Sequence, residues 1–477
     1  MKKTVAILGA GVSGLTAAYE LSKKGFDVVV IEKNAYYGGL AATFSYKNHL
    51  IDYGPHNFHT HMPQVFKFVK EELNVPLNIL PITSSKMFFM GKFINYPLKI
   101  NDAIRNLNWR VSFKCFVDYV RSRIALRFGK ATDDESFEDW VTKRFGKYLY
   151  DLYFGPYVKK VWGLSGSELD VCLARKRIPE PSMLSLVLRS VTGIKFGAKH
   201  SEDPEGVKSY YPPKGIGMIA DRLRVGIVKN GGKVQLNCEI KSIEIGRGEG
   251  AEKVISYTSD GIDKKIKYDH LINTIPLDEL YQLLLVPGKE KIGEPVQRLP
   301  YRSIILLYIF LDSEKLFDAP WVYFNERDNP DLIFNRIYEI GNFSPEMIHE
   351  KKGVVCLEIT CYENDSMWKK SDKELFDICI SYLEKNKLLE RARVKDVLTR
   401  RIEVAYPVFR KGYLSDLSKV LNYLADECGI LSIGRQGLFS YANVDHCIDM
   451  GLKAGKIFDG GILRYSNMFS IYQRYFY

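Results

Sequence analysis

The stretch "TVAILGAGVSGLTAAYELSKKGFDVVVIEKN" (residues 4–34) decides the fold. Val5, Ala6, Ile7 and Leu8 form a short apolar run that reads as a buried strand. Gly9, Gly11 and Gly14 come next as GxGxxG, and Leu15, Ala18, Tyr19 and Leu21 then recur at helical spacing until Gly25. "VVVIE" is a second strand with Glu32 at its end. A strand, a glycine turn, a helix, a parallel strand and an acid, in that order, are the parts of a dinucleotide-binding fold. Gly9 permits the tight turn, Gly11 lets the backbone approach a pyrophosphate, and Gly14 lets the helix pack on the strand. The helix N-terminus offers free N–H groups to phosphate. Glu32 accepts hydrogen bonds from ribose hydroxyls and repels a 2′-phosphate.

The segment after Glu32 distinguishes FAD from NAD. In "KNAYYGGLAATF" (33–44) the Gly38–Gly39 doublet resembles the second glycine signature of FAD-binding amine-oxidase-type flavoproteins, and Lys33, Gly38, Gly39 and Leu40 are assigned to the cofactor with it. Such a protein returns to its cofactor near the C-terminus. "GILSIGRQGLFSYANVDHCIDMGLKAGKIFDG" (429–460) fits: a strand, a turn at Gly434–Arg435, and a helical pattern with Asn443 or Asp445 near its cap and Val444 beside it. "GGKVQLNCEIKSIEI" (231–245) with "HLINTIP" (270–276) resembles the middle return, where the family pattern puts the backbone near Ile240 against adenine. FAD is the expected cofactor. The expected fold class is α/β, a discontinuous Rossmann-type FAD-binding domain with an inserted helical domain and an antiparallel-sheet substrate domain.

A chain of 477 residues exceeds a single core, so two or three domains are expected. The boundaries read as 1–90, 205–285 and 425–464 for the FAD-binding domain, 91–204 for the helical domain, 286–424 for the sheet-rich substrate domain and 465–477 for an aromatic tail. Composition is that of an ordered protein, 46% hydrophobic and 26% charged. Eight cysteines without a CxxC pair fit reduced thiols rather than a disulfide framework or zinc site. The longest apolar runs are too short to span a bilayer, and the N-terminal run reads as a strand rather than a signal peptide, so a cytoplasmic location is expected. A net charge of +11 suits an anionic ligand, a membrane surface or nucleic acid. A phosphorylated small molecule is preferred, with no nucleic acid, because no nucleic-acid-binding motif occurs. In "SFKCFVDYVRSRIALRF" (112–128), Phe113, Phe116, Val117, Val120, Ile124 and Phe128 lie at helical spacing opposite Lys114, Arg121, Arg123 and Arg127. The ordinary expectation is a bundle helix with a solvated basic face, and a peripheral membrane contact is the other reading. The oligomeric state is not legible.

"IDYGPHNFHT" (51–60), with His61 just beyond it, concentrates three of the eight histidines. No acid or cysteine stands at ligand spacing, so no metal is assigned. "DYGPHNFHT" closely resembles the segment after the FAD fingerprint in UDP-galactopyranose mutases. "GKFINYPLKIND" (91–102), "FGKYLYDLYFGPYVKKVWGLSGSELDVCLARKRIP" (145–179), "YYPPKGIGMIADRL" (210–223), "FNRIYE" (334–339), "AYPV" (405–408) and "GRQGLFSYANVD" (434–445) resemble further elements of that family in the same order. Several also occur in protoporphyrinogen-oxidase-like and phytoene-desaturase-like flavoproteins. The resemblance implies a mutase-like enzyme of cell-surface polysaccharide biosynthesis acting on a nucleotide sugar. Reduced flavin N5 would attack the anomeric carbon as the nucleoside diphosphate leaves, and the sugar ring would open as an iminium and reclose with another ring size, without net redox change. It implies Gly54, Pro55 and His56 at the flavin, with His56 also a candidate general base. His59 would fix the loop and His61 would lie on the surface. Trp162, Arg177 and Asn335 would line the substrate, Arg336 would bind the diphosphate, and Tyr406 and Tyr441 would hydrogen-bond it.

The chain departs from the family at two places. Glu180 and Pro181 stand where the family has a second essential arginine, and Ala442–Asn443 replace a Tyr-Asp. Two other readings therefore stay open. One is an FAD-dependent oxidoreductase taking hydride onto flavin N5, like amine oxidases, protoporphyrinogen oxidases or phytoene desaturases. The other is a non-catalytic FAD-binding partner protein.

Overall fold

The computed structural model describes residues 2–80, 85–96, 109–128, 134–178, 208–246, 252–326, 329–459 and 462–463. Glu180–Pro181 and the tail 465–477 lie outside them. The described residues fall into two compact units. One draws on Met1–Ile79, Ser209–Tyr301 and Gly412–Tyr477, the other on Leu80–Lys208 and Arg302–Lys411.

In the first unit, β1 (Thr4–Leu8), α1 (Val12–Lys23) and β2 (Asp27–Ile31) form as the sequence predicts. They belong to a five-stranded parallel sheet in the order Ile430–Ser432, His270–Asn273, β1, β2, Lys233–Gln235. Three distant segments thus complete one sheet, and β1 at its centre is buried from Val5 to Leu8. That suits a parallel strand covered on both faces, and explains why its sequence is continuously apolar. The helix Val444–Ile457 lies along α1 with Gly451 against Ser13 and Thr16 and Gly455 against Glu20. A Cβ at Gly451 would stand 2.5 Å from Thr16 Cβ, so glycine sets this close approach. The pairing runs in the same chain direction, so the two helix N-termini point the same way. A second, four-stranded sheet joins Ile262–Lys267, Val254–Ser259, Cys238–Glu244 and Leu284–Leu285.

The second unit is built on a seven-stranded sheet. Its order is Val394–Pro407, Tyr301–Leu311, Val354–Cys361, Arg336–Glu339, Trp321–Phe324, Ser85–Phe89 and Lys92–Tyr96. Trp321–Phe324 and Ser85–Phe89 run parallel, so the sheet is mixed rather than purely antiparallel as expected. Every residue of Tyr301–Leu311 is buried. Ile305, Leu307, Ile309 and Leu311 share a core with Leu375, Cys379, Ile380 and Leu383 of the helix Asp372–Lys385. That helix starts in a Ser371–Glu374 capping box, and Phe137–Phe145 starts in a Ser136–Asp139 box.

The unit boundaries differ from the sequence reading for identifiable reasons. Ser85–Phe89, placed with the FAD-binding domain, pairs with Trp321–Phe324 and belongs to the second unit. Residues 286–301 and 412–424, placed with the substrate sheet, belong to the first, where Arg298 grips Asp416 through Nε (2.8 Å) and Nη2 (2.6 Å). The helical segment and the sheet form one unit: Asn325 Nδ2 donates to Tyr153 O (2.8 Å) and Thr360 Oγ1 to Lys160 O (2.9 Å). A further correction concerns the helix Trp109–Phe128. The expected bundle packing of Phe113, Phe116, Val120, Ile124 and Phe128 is not what the structure shows: all five are exposed.

Glu339 has no solvent exposure, and its carboxylate accepts from Leu316 N and Phe317 N (2.7 Å to the latter). Burial pushes its pKa from 4.5 up to about 7, against those hydrogen bonds. The native state therefore keeps a proton that the unfolded chain releases first. The stability from this group is fully present below pH 4.5 and is lost as pH rises to about 7. Glu339→Gln does not titrate, so its stability relative to the parent rises across that window; urea unfolding of both proteins at its two ends checks this.

Candidate active site

The glycine loop of the first unit is shaped for a phosphate. Gly9 has φ +95° and donates its N–H to Ile31 O (2.8 Å). A Cβ at Gly14 would overlap Gly9 O, so only glycine lets α1 begin this close to β1. Gly11 is the N-cap of α1; a Cβ there would meet nothing within 4 Å. No side chain caps α1 and no acid occupies its first turn. Its first N–H groups are thus left for an anion in open space. Gly38 (φ +95°) donates to Ala10 O (2.8 Å), and Gly39, at the start of a short helical turn carrying Leu40, lies against Gly11 Cα. The second glycine pair therefore walls the first.

Glu32 is buried, and its Oε2 accepts from Ala10 N (2.8 Å) while Oε1 accepts from Asn34 N (2.9 Å) and Asn34 Nδ2 (2.7 Å). Cys238 N donates to Glu32 O (2.9 Å), which brings the strand of Ile240 alongside. Lys33 is more than half exposed and pairs with Glu279 (3.3 Å). Gly434 (φ +85°) sits over Ser13 of α1, and Arg435 donates to Ala442 O (2.8 Å) with its guanidinium 4.4 Å from the Tyr441 ring. Asn443 O accepts from Cys447 N (3.0 Å), which makes Asn443 the turn into the helix that Val444 begins. Ser440 Oγ nearby is buried with no hydrogen-bond partner.

The loop Gly54-Pro55-His56 lies just beyond a buried anchor. Asp52 accepts from Tyr211 OH, Thr43 Oγ1 (2.5 Å) and Ile216 N (3.2 Å). Burial raises its pKa to about 6 despite these donors. Gly54 has φ +99°, and His56 Nδ1 lies 3.0 Å from Gly54 O, which fixes the ring against its own turn. Phe58 and Tyr210 exchange backbone hydrogen bonds (2.8 Å each), pinning the far side of the loop. His59 and His61 meet edge to face at 5.0 Å. Among the described residues no group of three or more His, Cys, Asp or Glu could hold a metal.

The second unit carries Trp162, Arg177, Asn335, Arg336 and Tyr406, and brings Tyr406 near both Trp162 and Arg336. Arg336 sits 20% exposed and bonds Glu358 through Nε (2.7 Å) and Nη2 (2.8 Å). Burial opposes its charge, but Glu358 more than offsets this and holds it protonated. Its guanidinium lies 5.8 Å from the Tyr323 ring, and Tyr406 is within its electrostatic reach. Trp162 is buried with its ring edge-to-face on Tyr406 at 6.0 Å. Tyr157 packs 6.3 Å from Tyr323 and feels both Arg336 and Arg177. Asn335 is buried, donates its N–H to Glu358 O (2.9 Å), and has an Oδ1 without a hydrogen-bond partner. Arg177 is an exposed residue at the end of Val171–Arg177.

Known proteins share both the sequence pattern and this architecture. Residues 12–396 match the family described as flavin containing amine oxidoreductase. The chain belongs to the flavin-containing amine oxidoreductase family. Over 479 aligned residues it is 24% identical to a probable UDP-galactopyranose mutase of Klebsiella pneumoniae, covering 98% of this chain and 97% of that protein. It is 30% identical over 179 residues to a dTDP-fucopyranose mutase of Escherichia coli, covering 37% of this chain and 45% of the relative. It is 23% identical over 342 residues to protoporphyrinogen oxidase 2 of Arabidopsis thaliana, covering 66% and 65%. Its fold matches a crystal structure of reduced UDP-galactopyranose mutase with a TM-score of 0.81, at 23% identity and over 98% and 97% of the two chains.

As a member of the flavin-containing amine oxidoreductase family, the chain is a flavoenzyme with FAD as its cofactor. The residues present fit that group: an uncapped helix start, room at Gly11, and an acid held beside the loop. Sequence reasoning missed Glu358, Tyr157, Tyr323 and Arg302. Arg302 is buried and donates to Val161 O (3.3 Å), Lys160 O (3.4 Å) and Thr360 O (3.2 Å), closing the C-terminus of the Trp162 helix. It also missed Lys160, whose Nζ is buried without a hydrogen-bond partner and whose pKa falls to about 8 through burial. A charged residue inside a strand or helix of this kind gives no local signal; only strand pairing reveals its partner.

The cradle predicts two outcomes. Gly14→Ala forces α1 away from Gly9 and should purify with most of its FAD lost, read from the flavin absorbance per protein. Asp52→Ala leaves three donors without their acceptor and should cost about 2–4 kcal/mol in thermal unfolding.

Proposed function

We propose that this flavoenzyme is a mutase of nucleotide sugars, working in its reduced state in cell-surface polysaccharide biosynthesis. The supporting observation is Arg336. Glu358 occupies Nε and Nη2 and fixes the plane of the guanidinium, which leaves Nη1 for a ligand oxygen amid Tyr406, Tyr323 and Trp162. A planar, prealigned donor beside tyrosine hydroxyls and an aromatic wall is chemistry for a diphosphate and a sugar. In this reading Arg336 and Tyr406 bind the diphosphate, Trp162 packs on the sugar, and Asn335 and Arg177 make further substrate contacts. His56 stands at the flavin. Reduced FAD, when bound, supplies a nucleophilic N5 for the anomeric carbon. The protein's own part is to hold the departing diphosphate and keep the sugar in place while its ring changes size.

One observation favours a second reading. Glu358 neutralises Arg336, so the pair carries no net charge. An FAD-dependent oxidoreductase with an uncharged substrate would tolerate such a site more easily than a site for a dianion does.

Anaerobic titration of dithionite-reduced protein with a panel of nucleotide sugars, following the flavin spectrum and the products, separates the two. The mutase reading expects binding and a ring-isomerised product from the reduced form alone. Arg336→Lys should weaken nucleoside diphosphate binding about 10–100-fold by losing the planar donor that Glu358 holds in place, and Tyr406→Phe about threefold to tenfold. A reduced protein that binds no nucleotide sugar would sink this reading, and bleaching of oxidised flavin by an uncharged substrate would establish the other.

A further inference from the structure

The helix Trp109–Phe128 has its faces arranged the opposite way from a core helix. The side turned to the body carries mostly small or polar residues, with Tyr119 among them. Val111, Ser112, Cys115, Asp118 and Ser122 are partly covered there, and Asp118 Oδ2 accepts from Tyr148 N (2.7 Å). The opposite side carries the bulk. Trp109, Phe113, Phe116, Val120 and Ile124 fall within about a third of the helical circumference at 100° per residue. Trp109 is 72% exposed, Phe113 60%, Phe116 53% and Ile124 55%. Exposing that many large apolar groups on one stripe is unusual for a surface whose only contact is water.

The charges beside the stripe say what it meets. Arg110, Lys114, Arg121 and Arg123 lie on the same helix, and Asp118, its single acid, is turned inward. A contact between two copies of this face would bring like cations together across a dry seam with no exposed acid of the helix to offset them. An anionic lipid surface offers both halves of the match. Acyl chains take the aromatic stripe to a depth of about 5–10 Å, and head-group phosphates meet the cations. Among the described residues no helix is long and apolar enough to cross a membrane. We infer that Trp109–Phe128 is a peripheral docking helix that lays its Trp109–Phe113–Phe116–Val120–Ile124 stripe into the surface of an anionic membrane. None of these residues belongs to the cofactor or substrate sets, so membrane docking is independent of the proposed activity.

The test uses the FAD-loaded full-length protein with vesicles of phosphatidylcholine alone and of equal parts phosphatidylcholine and phosphatidylglycerol. Sedimentation with the mixed vesicles at low salt, with much weaker binding to the neutral ones, is the expected result. Phe113→Ser with Phe116→Ser should weaken binding at least about tenfold. Arg121→Gln with Arg123→Gln should remove much of the salt dependence. Both variants change exposed positions and should keep the flavin spectrum and melting temperature of the parent. The inference is overturned if the parent ignores the mixed vesicles, if either pair of substitutions leaves binding unchanged, or if neutral vesicles bind equally well. A concentration-dependent dimer that Phe113→Ser with Phe116→Ser abolishes would also overturn it, and would assign the stripe to a second copy.

Discussion

The close passage of α1 over the carbonyl of Gly9 governs the first unit. Gly14 has no Cβ, so the helix starts where its unsatisfied N–H groups face the open space at Gly11. Everything around this point supports the approach. Gly38 and Gly39 press in from the second turn, Glu32 ties the loop from below through Ala10 N, and Gly451 lets the C-terminal helix lie against Ser13 and Thr16. Each of these contacts uses absent side-chain volume or a main-chain hydrogen bond. Larger residues at these positions would separate the elements that the sheet order brings together.

The second unit rests on a different device. Its longest fully buried strand, Tyr301–Leu311, stands second from one edge and is dry on both faces, one against the helix Asp372–Lys385. On the other face the sheet presents polar groups in a buried setting, where Arg336 and Glu358 face each other from paired strands. A buried ion pair of this kind adds little net stability, because desolvation offsets the attraction. It does provide a fixed guanidinium plane, and Tyr323, Tyr157 and Tyr406 are arranged around that plane.

How much of this the sequence revealed depends on the range of each signal. Glycine turns and apolar strands depend on neighbours a few residues away, so the dinucleotide fold and the distant segments that return to one sheet were legible. Family resemblance singled out Arg336 and Trp162 as expected substrate residues. Their partners Glu358 and Arg302 were not legible, because pairing across strands leaves no local pattern. The mixed orientation of the larger sheet was hidden for the same reason: Ser85–Phe89 meets Trp321–Phe324 across more than two hundred residues of chain. The stripe on Trp109–Phe128 was visible, but periodicity shows only that one side is apolar and never which side faces the body.

The parallel alignment of α1 with Val444–Ile457 has one more consequence. Both helices direct their positive ends the same way, and those ends consist of peptide groups rather than side chains. A charge made of backbone dipoles has no pKa and cannot be deprotonated. The attraction this part of the chain exerts on phosphate is therefore constant wherever the fold itself survives. It is a fixed electrical property of the architecture, indifferent to the acidity that sets the charge of histidines and lysines elsewhere in the molecule.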